Sequence, residues 1–306
     1  MNNYRTGPWL VALAAFLWAF DAPFRSHLTQ ELSSTTIVFL EHVLIGIIVL
    51  FGLWAYVKEL KKLTWRGWLA VAFIGFGGSA LATVMFTQSF HYVNPSVAIL
   101  LQKVQPLVAI LLAVAVLRER LSRTFWLWAL AAVAGAYLLS FPELAPGSLS
   151  LNGGAMGVLL ALGAAALWGG STVFGRYLLK DLSFQAMTAL RFLSALVFLF
   201  ILEAYYGRLA EASLASGRDW LYVFIIAIVA GFISLLIYYR GLTYTSASVA
   251  TLAELVFPLA AVVINWIFLD AALSAVQLVG GALLLFAITR LSLVNTALER
   301  TPAASS

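Results

Sequence analysis

The 306-residue chain is 63% hydrophobic and 10% charged, a balance that a soluble domain of this size could not carry without exposing very large apolar patches. It has no cysteine, which excludes disulfides, thiolate metal sites and thiol nucleophiles. Its net charge of +5 gathers beside apolar segments, so membrane topology accounts for it and no nucleic-acid partner is implied.

Ten apolar segments follow one another, each long enough for a hydrocarbon core that needs roughly 20 residues. The predicted spans are 8–27, 35–57, 67–91, 95–117, 124–141, 153–178, 183–204, 219–242, 246–269 and 275–293, an all-α polytopic membrane protein. The first opens on Trp9 to Phe20, but no small-residue cleavage site follows, so it is read as a membrane helix rather than a signal peptide. It carries Trp18 and Asp21; the second carries Glu41, the third Gln88, and the fourth Gln102, Lys103 and Pro106. The sixth holds Trp168 and a stripe of small residues, Gly153, Gly157, Ala161, Ala165 and Gly169, which predicts a packing seam within the bundle. Arg191 lies in the seventh, Tyr238 and Tyr239 in the eighth, and Glu254 and Pro258 in the ninth. Connections are short apart from 142–152 and 205–218.

The chain repeats itself. SVAILLQKVQPLVA at 96–109 returns as SVATLAELVFPLAA at 248–261, with eight of fourteen positions identical and an offset of 152. The same offset carries Arg66, Trp68, Leu69 and Val71 onto Arg218, Trp220, Leu221 and Val223, and an offset of 150 carries Leu17, Trp18 and Phe24 onto Leu167, Trp168 and Phe174. Two units are expected, 1–145 and 146–306, each with five helices. If the N-terminus is inside, thirteen Lys and Arg fall on the cytoplasmic side, while the other side holds only Arg25, Arg208 and Arg218. Both termini are therefore expected in the cytoplasm. An odd number of helices per unit makes the halves inverted repeats, a construction that in secondary transporters places the substrate site between the halves near mid-depth.

Asp21, Glu41, Lys103, Arg191 and Glu254 would together cost on the order of 15 kcal/mol against lipid. They must pair or line water. Equal depth predicts Glu41 with Lys103 and Arg191 with Glu254, as ion pairs or as contacts to substrate or proton. Pro106 and Pro258 each lack the N–H that would bond four residues back, so the carbonyls of Gln102 and Glu254 are expected to be freed at bends or hinges. Trp18 and Trp168 sit mid-span at matched places and can serve as core packing or as an aromatic clamp. His27, His42 and His91 have no metal-ligand spacing, and no HExxH or complete phosphate loop occurs. A membrane enzyme or a receptor would need a catalytic constellation or a signalling domain; neither is written in the chain.

The run Tyr92 to Ala98 leading through Pro106 to LRERLS at 117–122, with its partner Tyr244 to Ala250 leading through Pro258 to LDAALS at 269–274, resembles the drug/metabolite transporter superfamily. The closer likeness is to its EamA-type ten-helix exporters over essentially the whole chain, and the aromatic content is similar to the YddG-like amino-acid exporters. Ala271 departs from the pattern where Glu119 stands in the first half. The resemblance implies an alternating-access carrier in a bacterial inner membrane, exporting amino acids, aromatic or otherwise apolar. Broad drug or metabolite efflux and a small-solute channel are the alternatives. Segments 1, 3, 4, 6, 8 and 9 are expected to line the cavity, with Trp18, Gln88, Gln102, Trp168, Tyr238, Tyr239 and Glu254 on the substrate and Asp21, Glu41 and Glu254 as candidates for proton exchange. No cofactor or metal is expected, and the chain is expected to act as a monomer in membrane lipid.

Overall fold

The computed structural model describes residues 3–105, 107–108, 111–112, 123–140, 153–178, 181–242 and 253–300. All regular elements among them are helical. Ten helices cover the expected segments: α1 (Thr6–Glu31), α2 (Ser34–Gly52), α3 (Trp65–Ser89), α4 (Pro95–Val104), α5 (Trp126–Leu139), α6 (Gly154–Gly175), α7 (Phe184–Tyr205), α8 (Gly217–Gly241), α9 (Val256–Leu269) and α10 (Ala275–Arg290). Among the described residues six of these are long and apolar enough to cross a membrane, and α4, α5, α9 and α10 are shorter apolar stretches. The first helix runs on to Glu31, beyond the predicted end, and breaks at Phe20 because Pro23 offers no N–H to the Ala19 carbonyl.

Polar residues satisfy the first amides of most of these helices. Thr64 accepts from Gly67 N at the start of α3, Asn94 from Ser96 N at α4, and Ser183 from Ala186 N at α7. Ser216 and Asp219 form a reciprocal capping box at α8, and Ser274 with Gln277 does the same at α10. The far end of α9 closes on Asp270, which takes a left-handed conformation at φ 50°.

Exchanging the two halves leaves the packing partners unchanged. Against α1 lie α8 and α9; against α6 lie α3 and α4; α2 meets α7, and α5 meets α10. Each of α3 and α8 contains one π-helical stretch, Ile74–Leu81 and Ile226–Ile233, separated by the repeat offset of 152. After α2, Glu59 accepts from the Ser183 amide that opens α7, at 2.6 Å; after α7, Glu211 accepts from the Ser33 amide that opens α2. Each half thus caps a helix of the other.

Where α5 crosses α10 the backbones touch. A Cβ on Gly135 would stand 2.6 Å from Leu284 N, and one on Gly280 would stand 2.8 Å from Leu139 N, so only glycine fits either place. The α6 stripe is an internal seam as predicted: Gly157, Ala161, Ala165 and Gly169 are buried, and a Cβ on Gly157 would meet Val93 at 2.7 Å.

Pro258 is buried at the third residue of α9, just after a turn at Glu254 and Leu255. The carbonyl it was expected to free, on Glu254, accepts from Phe257 N at 3.1 Å. In the first half Gln102 O likewise accepts from Gln105 N. Tightening to three-residue bonds re-satisfies both carbonyls, which corrects the expectation of free acceptors. Pro106 itself, like 113–122 and 243–252, lies outside the described residues.

Candidate functional site

Four helices bring one aromatic and polar group together. The Trp18 ring on α1 lies 5.2 Å from Tyr238 on α8 and meets Phe257 on α9 edge-on at 6.1 Å. Tyr238 donates its hydroxyl proton to Glu254 Oε1 at 2.7 Å and rests against Tyr239 at 5.5 Å. From α4, Lys103 Nζ stands 4.9 Å from the centre of the Phe257 ring, a cation–π placement. Beside it Gln102 Oε1 is buried without a hydrogen-bond partner.

Among the described residues the ion pairs within 4 Å are those of Arg25, so Lys103 and Glu254 attract each other across a gap and not in contact. Trp18, Lys103, Tyr238 and Glu254 are partly exposed. The group combines three aromatic rings with an ammonium, a carboxylate and an amide carbonyl.

Trp168 joins a different group. It lies 5.3 Å from Phe86, which lies 5.0 Å from Phe90, and the same core cluster supports both tryptophans. Gln88 is partly buried on α3, and no polar contact joins its side chain to either group.

The ion pairs expected from depth do not form. Arg25, expected on the outer face, is buried in α1 and takes both acids of that region: Asp21 through two bonds of 2.6 and 2.8 Å, and Glu41 through an ion pair of 2.7 Å without hydrogen-bond alignment. It also donates to Thr87 at 2.8 Å. The reason is lateral: α2 packs on α1, α3, α7 and α8 and not mainly on α4, so Glu41 meets Arg25 of α1 before Lys103. Arg191 likewise turns to α3, donating to Ser79 Oγ and to the Gly78 carbonyl inside the π stretch, both at 3.3 Å. Ser79 also meets His42 Nε2 at 3.1 Å. The opposite ring nitrogen, Nδ1, lies 2.7 Å from the Val38 carbonyl, which can only accept, so His42 carries its proton there. His42 is therefore a hydrogen-bonding residue of the bundle, as its isolation in the sequence suggested.

Sequence reasoning passed over Phe257 and Glu203, and placed Arg25 only among the charges of the outer face. Glu203 is fully buried and accepts from Thr36 Oγ1 at 3.0 Å. Phe257 had one available signal: it precedes Pro258 in the repeated motif, where the first half has Gln105.

A helical bundle with matched halves, apolar helices and a polar, aromatic group held between four of them is the build of a membrane transporter. The chain belongs to the EamA-like transporter family, which matches it twice, over residues 5–141 and 155–293. It is a transporter and not an enzyme. Among curated proteins it is 34% identical over 300 residues to the riboflavin transporter ImpX of Fusobacterium nucleatum, an alignment covering 96% of this chain and 100% of that protein. It is also 28% identical over 190 residues to the uncharacterized transporter YwfM of Bacillus subtilis, covering 61% and 60% of the two chains. One crystal structure superposes with a TM-score of 0.62 at 21% identity, over 96% of this chain and 99% of the other, and so shares its fold. The relative matched over the whole chain is named for riboflavin and not for an amino acid, so the expected amino-acid specificity gains no support here.

Proposed function

We propose that the chain is an alternating-access carrier for a flat heteroaromatic solute of the flavin class. It is built as two inverted halves, 1–145 and 146–306, in a bacterial inner membrane with both termini in the cytoplasm. The observation that carries this reading is the Trp18, Tyr238 and Phe257 group with Lys103 and Glu254 at its edge. A fused dioxo ring system stacks on indole and phenol faces, and its imide edge alternates acceptor, donor, acceptor. Lys103 can donate to the ring carbonyls, while Glu254 or the unpartnered side-chain Oε1 of Gln102 can accept from the imide N–H. The full-length likeness to a riboflavin transporter supports the same class.

Aromatic amino acids are the second reading, favoured by the separation of Lys103 from Glu254, which leaves an ammonium and a carboxylate for a zwitterion. Inverted halves favour a carrier over a channel. The π stretches of α3 and α8 add two further places where the helices can flex.

Riboflavin fluoresces and is quenched on stacking, so titrating it with purified protein tests the reading. Saturable quenching, weakened about tenfold by Trp18→Ala, is expected from a stacking contact of roughly 1–3 kcal/mol. Absence of saturable quenching by monodisperse protein, with phenylalanine or tryptophan binding instead, would replace the first reading by the second.

A further inference from the structure

The packing partners of the two halves match among the described residues, and one departure in sequence falls where α4 and α9 meet. At the end of the bundle that bears the α3–α4 and α9–α10 connections, these helices are joined across the halves. Asn265 Nδ2 donates to Ser96 Oγ at 3.2 Å, and Asn94 Nδ2 donates to the Ala272 carbonyl at 3.1 Å. Ser96 and Asn265 are fully buried, with Val97, Ala98, Ala261 and Ile264 packed around them in one core. This mouth is shut.

The repeat offset carries Ser96 onto Ser248 and brings Asn265 back to Ala113. The serine is kept in both halves; the amide occurs in one. A buried amide is costly unless it is bonded, and in a membrane bundle it is retained as a link between helices. Asn265 uses one donor on Ser96 and leaves its Oδ1 without a partner. Such a link is weak and reversible, since water restores the missing bonds when the mouth opens.

We propose that Asn265 is a gating residue, a one-sided latch that favours closure of the α4–α9 mouth over closure of its repeat counterpart. Under the proposed orientation this mouth faces outward, and the resting carrier is biased against the outward-open form. The proposal rests on the alternating-access reading and does not depend on the identity of the solute. A ligand or gradient must then overcome this bias to expose the site outside.

The chain has no native cysteine, so one introduced thiol reports alone. Ala261→Cys places it one turn below Asn265 on the same face of α9, at a fully buried position. His91→Cys, exposed in the α3–α4 connection, identifies the membrane face. With an impermeant maleimide applied to that face of sealed vesicles, Ala261→Cys should label slowly. Adding Asn265→Ala should raise the rate about fivefold, the population change that one net hydrogen bond produces. Ser96→Ala, which removes a single oxygen, should give the same increase, and the two together no more than either alone. Unchanged labelling in both variants, with protein that remains monodisperse, would overturn the latch. Equal labelling of Ala261→Cys from both faces at once would instead overturn the carrier reading beneath it.

Discussion

Replacing Arg25 by methionine removes a cation in contact with two carboxylates, while the apolar stem of the side chain is largely kept. Three hydrogen bonds go with it, two to Asp21 at 2.6 and 2.8 Å and one to Thr87 at 2.8 Å, together with the 2.7 Å ion pair to Glu41. The side chains of Asp21 and Glu41 are 17% and 8% exposed, so water cannot replace the guanidinium. Removing one partner of a buried pair costs about 3–5 kcal/mol, because the remaining charge stays uncompensated. Arg25→Met should therefore lose about that much in an SDS unfolding titration followed by tryptophan fluorescence. Combining it with Asp21→Asn and Glu41→Gln should recover at least half of the loss, since the orphaned charges are then gone. A single variant within about 1 kcal/mol of the parent, as for an exposed pair, would refute the reasoning. So would a triple variant no better than the single one.

Trp18→Phe should keep a stacking face and most of the transport, whereas Trp18→Ala should raise the KM for riboflavin about tenfold with the fold intact by gel filtration. Lys103→Met should raise KM similarly, and Lys103→Arg should restore much of it, because both cations can donate to a ring carbonyl. Gly280→Leu should prevent α5 and α10 from docking and abolish monodisperse protein, since even a Cβ there would lie 2.7 Å from Leu138 Cβ and 2.8 Å from Leu139 N. Glu59→Ala and Glu211→Ala each remove the acceptor of a helix-opening amide and should each lower stability by about 1 kcal/mol in the same SDS titration.

The fold was largely legible because its signals are long and collective. Runs of apolar residues gave all ten helices, and the matched prolines at offset 152 pointed to the symmetry seen in the packing of α1, α3, α6 and α8. Local order was harder to read. The break at Phe20 follows from Pro23, but nothing in IGFGGSAL or IAIVAGFI announces a π stretch, because the register of backbone bonds there is set by what packs alongside. For polar residues, counting along a helix yields depth and not azimuth or neighbour. Glu41 and Lys103 matched in depth, yet Arg25 on an adjoining helix claimed Glu41, and Glu254 met the phenol of Tyr238 instead of Arg191. Trp18, Tyr238 and Glu254 were all singled out as candidates; that they touch one another, with Phe257 between Trp18 and Lys103, is information that only the packing of four helices holds.

Counterflow in proteoliposomes is the most direct test of a flavin-class carrier. Vesicles loaded with unlabelled riboflavin should take up labelled riboflavin transiently above equilibrium, with a rate that saturates and falls sharply in Trp18→Ala. Linear, non-saturating uptake, or no acceleration by riboflavin on the far side of the membrane, would contradict the account.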